Sequence, residues 1–358
     1  MTKREEAHMA NETKDIYFVK NGLFARTSHI IQGDAFIIVE TAVHNHLPYD
    51  TEVWIDIHMH RLVDTGAPQM EEEPGIQAAG DVKLYIPAGT CRTAKTQICV
   101  EGAAKWEMDA PALYVVEAVL YKPVKEGEAL PNTKLLAGLA MRAPHAMKMI
   151  DFAETHFGIR EMTLDAKNGF CLNGTKVKLK GSCLESLENG EDADRDAVFL
   201  QEYARMKAYK LAGYNVAGVR GREMPAEFFD ACNRLGVLVI DEVSHEAEIC
   251  QRRSLPSVVG WMSSDMEADE IRALDQTRYV GVLCDASFGK DGNAPFDRLM
   301  WNDTTEVVCA DWDFVGYPCE NTSFQEAHAY FPNRCILSVG GSAEDVENYG
   351  FVIGALNV

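Results

Sequence analysis

A chain of 358 residues with 47% apolar and 25% charged side chains is long enough to build two domains, each with its own core. Its 34 Lys and Arg against 55 Asp and Glu leave a formal charge of −21, which opposes phosphate backbones and anionic lipid and excludes nucleic acid and membrane surfaces as expected partners. The N-terminal MTKREEAHMANETKD has no apolar signal-peptide core, no stretch approaches the roughly 18 apolar residues of a membrane span, and ten cysteines lack C-x-x-C pairs or zinc-spaced histidines, so a cytoplasmic protein is expected.

Residues 1–14 read as a tail. Residues 15–122 carry short β segments at sandwich spacing, the clearest being Thr51–Met59, where Val53, Ile55, Ile57 and Met59 alternate with Glu52, Trp54, Asp56 and His58. Phe36–Val43, Val82–Ile86, Thr96–Val100 and Leu113–Tyr121 are further strands, and the set predicts an immunoglobulin-like β-sandwich. His44-x-His46 and His58-x-His60 each place two rings on one strand face, but nothing in the sequence brings the pairs together and no metal site is expected. Residues 123–156, interrupted by Pro144, predict a linker or surface insertion.

From residue 157 the pattern changes to alternating strand and helix. Asn173-Gly174 between Phe170, Leu172 and Val177, Leu179 predicts a β-hairpin with a type I′ turn. Asp194–Ala212 predicts a helix with an acidic start and Gly213 past its end, and Pro225–Leu235 a second one bounded by Pro and Gly236. Further helices are expected at roughly 264–276 and 322–330. Val177–Gly181, Asn215–Val219, Val237–Ile240, Val258–Trp261, Tyr279–Cys284, Phe314–Tyr317, Cys335–Val339 and Phe351–Ile353 make eight strands, the count of a (β/α)8 TIM-type barrel. Residues 177–358 fall short of the roughly 200 residues at the low end of that fold, so a shortened barrel, incomplete or missing helices, is expected. No G-x-x-x-x-G-K-[ST], G-x-G-x-x-G or G-x-S-x-G occurs, which leaves nucleotide binding and serine hydrolysis without support.

Several stretches together, THFGIR (155–160), NGFCLNGTKVKLKGSC (168–183), LAGYN (211–215), PAEFFDACNRLGVLVIDE (225–242), LPSVVGW (255–261), IRALDQTR (271–278), DFVGY (313–317) and FPNRCIL (331–337), resemble glycoside hydrolase family 2, the β-galactosidase and β-glucuronidase family. NGLFART (21–27) and KWEMDAPALY (105–114) are similar to that family's immunoglobulin-like domain, and a member lacking the family's usual N-terminal sugar-binding domain is expected. The resemblance implies a glycosidase acting on terminal β-linked sugars with retention and without an organic cofactor. Such chemistry needs two carboxyl groups about 5–5.5 Å apart at the C-terminal ends of barrel strands.

Carried over residue by residue, the pattern loses both. The acid/base position falls on Met266 and the nucleophile position on Gly340; the motif after the first barrel strand becomes Glu185-Ser186-Leu187, and that after GYN keeps only Arg220. The catalytic residues are thus unknown, with Asp265, Glu267 and Glu344 as displaced carboxylate candidates and Arg220, Asp241, Glu242 and Trp261 as substrate-binding candidates. Trp301 and Trp312 are expected in packing roles. The expectation is a family 2-like protein with impaired or absent catalysis. The alternative is a non-catalytic carbohydrate- or protein-binding pseudoenzyme; self-association into a homo-oligomer is compatible with either.

Overall fold

The computed structural model describes residues 14–124, 147–187, 193–220, 224–263, 265–283, 312–318, 328, 335–340 and 352–357. They fall into two compact units, one of residues up to 65, 70–104 and 113–159, the other of 66–69, 105–112 and 160–358. No helix among the described residues is long and apolar enough to cross a membrane.

The first unit is antiparallel. One sheet runs in the order β1 (Ile16–Ile31), β2 (Asp34–Asn45), β6 (Cys91–Val100). The other runs β4 (Glu71–Glu72), β3 (Thr51–Val63), β7 (Leu113–Pro123), β8 (Met147–Phe157), with β5 (Ala78–Ile86) also paired to β3. Ile37, Val39 and Val43 of the first sheet share one core with Ile55, Ile57, Met59, Val116, Ala118 and Leu120 of the second. The alternation along β3 thus sets its core face, and the opposite face carries a smaller apolar cluster of Trp54, Val119, Tyr121 and Met147. Strand β8 lies where the sequence suggests the end of a linker. It pairs with β7 from Tyr114↔Phe157 to Pro123↔Met147. Its apolar rhythm is broken by Asp151, which is buried because its carboxylate accepts the Phe18 amide at 2.8 Å and the Lys14 ammonium at 2.7 Å. The rest of the expected linker, 125–146, lies outside the described residues.

The second unit opens with a three-stranded sheet of β9 (Met162–Asp165), β10 (Gly169–Leu172) and β11 (Thr175–Lys176). Asn173 and Gly174 join β10 to β11 with φ of 51° and 79°, as a type I′ turn requires. Eight parallel strands follow: β12 (Leu179–Leu184), β13 (Val216–Val219), β14 (Leu238–Glu242), β15 (Val258–Met262), β16 (Tyr279–Leu283), β17 (Phe314–Pro318), β18 (Cys335–Val339) and β19 (Val352–Asn357). They form a closed barrel, sealed where Leu179 of β12 pairs with Gly354 of β19, so the expectation of an incomplete ring is corrected.

Short helices allow closure with few residues. α1 (Arg195–Leu211) and α2 (Ala226–Leu235) separate β12, β13 and β14, while α3 (Glu246–Arg252) and α4 (Ala268–Leu274) are only seven residues each. Of the helix expected at 322–330, only His328 is among the described residues. Arg160, from the FGIR stretch, is buried and donates to the carbonyls of Pro256 and, at 2.6 Å, Val258. Arg278 donates to Val258 and Leu255 at 3.2 and 2.7 Å. Two separate motifs of the sequence therefore converge on the start of β15.

Candidate active site at the barrel mouth

In a parallel ladder, paired residues point to the same side of the sheet, so the register separates lumen from helix layer. One row runs Leu184, Val219, Asp241, Trp261, Val280; the next runs Glu242, Met262, Gly281, Phe314, Cys335. Val219, Trp261 and Val280 pack in the apolar layer shared with Phe228 and Phe229 of α2 and Ile249 of α3, so the first row faces the helices. The second row faces the lumen, where a Cβ on Gly281 would fall 2.3 Å from the Phe314 ring. The glycine is what lets that ring fill the barrel.

Glu242 thus ends β14 on the lumen side, half-buried. Cys183, near the end of β12, also faces inward: a Cβ on the neighbouring Gly218 would stand 3.3 Å from its sulfur. Burial pushes the Cys183 thiol up; the nearby Arg220 guanidinium opposes this and Glu242 reinforces it. Arg220, exposed immediately after β13, therefore shares one electrostatic neighbourhood with Cys183 and Glu242. A thiol held protonated is a poor nucleophile, so the trio offers a cation, a carboxylate and a soft apolar wall. A cation and a carboxylate side by side can hydrogen-bond to hydroxyl groups. Cys183 went unrecognised in the sequence, where its only signal is its place at the end of the KLKGSC strand.

Asp241 and Trp261 take other positions. Asp241 is fully buried, 3.2 Å from Arg252 of α3, and burial pushes its carboxyl up to about 7 against the pull of that guanidinium. Arg252 in turn lies 4.9 Å from the centre of the Phe229 ring. Trp261 is fully buried and donates from its indole nitrogen to Asp275 at 2.9 Å. Both side chains are engaged in the layer between strands and helices.

No protein-family model matches the chain. Among curated proteins it is 34% identical over 98 residues to a putative β-glucuronidase of Formosa agariphila, covering 27% of this chain and 9% of that protein. It is 29% identical over 260 residues to a β-galactosidase of Bacteroides ovatus, covering 71% of this chain and 24% of that one. Among solved structures, a glycosyl hydrolase family 2 member from Bacteroides cellulosilyticus superposes with a TM-score of 0.71 at 21% identity, over 96% of this chain and 46% of its own. The chain is a divergent glycoside hydrolase family 2-like protein. A β-glucuronidase of Bacteroides uniformis gives a TM-score of 0.67 at 14% identity, again over 96% and 46%. The family 2-like chain spans less than half the length of each of these relatives.

Asp265, Met266, Glu267 and Gly340, the residues singled out by the sequence resemblance, lie just beyond the ends of β15 and β18. Met266 is 9% exposed and packs in the same apolar layer as Trp261 and Ile271. Its amide and that of Asp265 donate to the Ser263 hydroxyl at 2.9 and 3.2 Å, and that hydroxyl donates to the Val243 carbonyl at 2.8 Å. This turn fixes the backbone where β15 ends and leaves Asp265 exposed. The Glu267 carboxylate accepts the Glu270 amide at the start of α4 while the Glu270 carboxylate accepts the Glu267 amide, a reciprocal cap that occupies it structurally. Gly340, after β18, is exposed with φ of 82° and donates its amide to Leu356. Glu344 and Trp301 lie outside the described residues, and Trp312 is buried in the apolar layer.

Proposed function

We propose that this chain is a glycan-binding family 2-like protein whose barrel has lost retaining hydrolysis, its sandwich being the family's immunoglobulin-like domain. The observation that carries the reading is the burial of Met266, a thioether with no transferable proton, at the position to which the sequence resemblance assigns the acid/base. The Gly340 position supplies no side chain, and Glu267 is held in a helix cap. Retaining cleavage needs both an acid and a nucleophile about 5–5.5 Å apart, so loss of either stops it. What remains at the mouth, Arg220 and Glu242, suits hydrogen bonding to a terminal β-linked sugar, the ligand class suggested by the β-galactosidase and β-glucuronidase relatives. On this reading the chain works in the cytoplasm, as its cysteine spacing without C-x-x-C pairs leads one to expect.

The test combines turnover and binding. Nitrophenyl β-galactoside, β-glucuronide and β-mannoside should release no chromophore above background, while immobilised β-linked oligosaccharides retain the protein and Arg220→Ala releases it. Turnover abolished by Asp265→Ala or Glu242→Gln would overturn the loss of hydrolysis. Absence of glycan retention would overturn the binding role.

A further inference from the structure

Strand β3 carries Asp56, His58 and His60 at alternate positions, on the face opposite Ile55, Ile57 and Met59. The antiparallel ladder sets Glu117 of β7 directly across from His58, and Glu154 of β8 across from Glu117. One nitrogen of His58, one of His60 and one carboxylate oxygen of Glu117 lie within 4.8 Å of one another. The sequence shows the two histidines but not their partner, which the pairing of β3 with β7 supplies.

The surroundings fix the rings. His60 Nδ1 lies 3.2 Å from the Gly75 carbonyl, which can only accept, so in the neutral ring Nδ1 carries the proton and Nε2, 3.9 Å from Glu117 Oε2, holds the lone pair a metal would take. Asp56 Oδ2 stands 3.4 Å from His58 Nε2, and both residues are only 6% exposed. A carbonyl behind one imidazole and a carboxylate beside the other are the outer partners that orient metal-ligating histidines.

We propose that His58, His60 and Glu117 form a zinc-binding site on the sandwich unit, with the remaining coordination position open. Two imidazoles and one carboxylate are a zinc donor set, whereas calcium and magnesium favour oxygen ligands throughout. Zn–N bonds of about 2.0–2.1 Å set ligand atoms roughly 3.3 Å apart in a tetrahedron, so the three donors must draw in by about 1–1.5 Å, within the reach of side-chain rotation. The ladder also sets the Glu154 carboxylate of β8 directly across from Glu117, so a divalent ion between the strands would meet two acidic residues and two imidazoles. The site belongs to the antiparallel unit and does not depend on the glycan-binding reading of the barrel mouth.

The full chain, stripped with a chelator, is titrated with zinc against a chromophoric competitor, and with cobalt for its absorption spectrum. Expected are one equivalent of zinc, a tetrahedral cobalt spectrum, and a folded-to-unfolded ratio raised about a hundredfold when free zinc is a hundredfold above Kd. Glu117→Gln and His60→Gln should each weaken zinc at least about tenfold, and Asp56→Asn by roughly ten- to a hundredfold. His46→Gln should leave affinity unchanged. Circular dichroism identifies any variant that fails to fold, in which case the remaining variants decide. No stoichiometric zinc, affinity unmoved by every folded ligand variant, or preference for calcium or magnesium over zinc would overturn the site.

Discussion

Asp241 and Arg252 face each other at 3.2 Å in a layer closed to water, yet Arg252 also lies 3.5 Å from Glu248. One guanidinium shared by two carboxylates does not offset burial, and the Asp241 carboxyl sits at about 7, raised by burial first and then by Glu248 and Glu242. An unfolded aspartate titrates near ~3.9. Between about pH 4 and pH 7 the native state therefore holds the proton that the unfolded state has released. The stability this group contributes is fully present below about pH 4 and is lost as pH rises through about 7. Urea denaturation across that window should show wild type losing stability with rising pH relative to Asp241→Asn, which has no carboxyl to titrate there.

The Trp261 indole gives a second measurement. Replacing it by Phe keeps most of the apolar volume but leaves the buried Asp275 oxygen without that donor, a loss of about 1.5–3 kcal/mol in urea denaturation. Glycan retention should be unchanged by Trp261→Phe, because the ring is packed toward the helices.

Restoring a carboxyl at the acid/base position should not restore the chemistry. Met266→Glu puts an ionisable group into the layer occupied by Trp261 and Ile271, so the protein should lose roughly 2–4 kcal/mol at neutral pH and release no nitrophenol. A chromophore assay on the refolded variant checks this.

Gly236→Ala should be costly for two separable reasons. Its φ of 68° is left-handed, worth about 1–2 kcal/mol against a non-glycine residue, and an added Cβ would stand 2.1 Å from the Met108 carbonyl. Gly213→Ala, with φ of 87° and open space around the site, incurs only the first cost. The difference between the two denaturation curves measures the clash.

These residues also show where sequence was informative. The Asn173-Gly174 turn was legible because a two-residue loop with positive φ has few chemical solutions. The eight barrel strands were legible as short apolar runs between helices. The direction of the side chains at their ends was not, since a parallel strand buried on both faces shows no polar alternation, and Asp241 and Glu242 look equivalent until the register separates them. Helix α3 was hidden by its seven residues, too few for a period, and is held by the His245 and Glu248 capping box. Glu117 could not be joined to His58 without knowing that β3 and β7 are neighbours.

Trp106 is fully buried in the barrel-containing unit, its indole nitrogen donating to Asn233 at 2.8 Å while its carbonyl accepts from Asn173 at 3.0 Å. In sequence it lies between β6 and β7, inside the stretch that otherwise builds the sandwich. The two units are therefore interleaved along the chain, and no single cut separates them. A fragment starting at Phe157 would carry all eight barrel strands and still lack an indole-sized piece of its own interior.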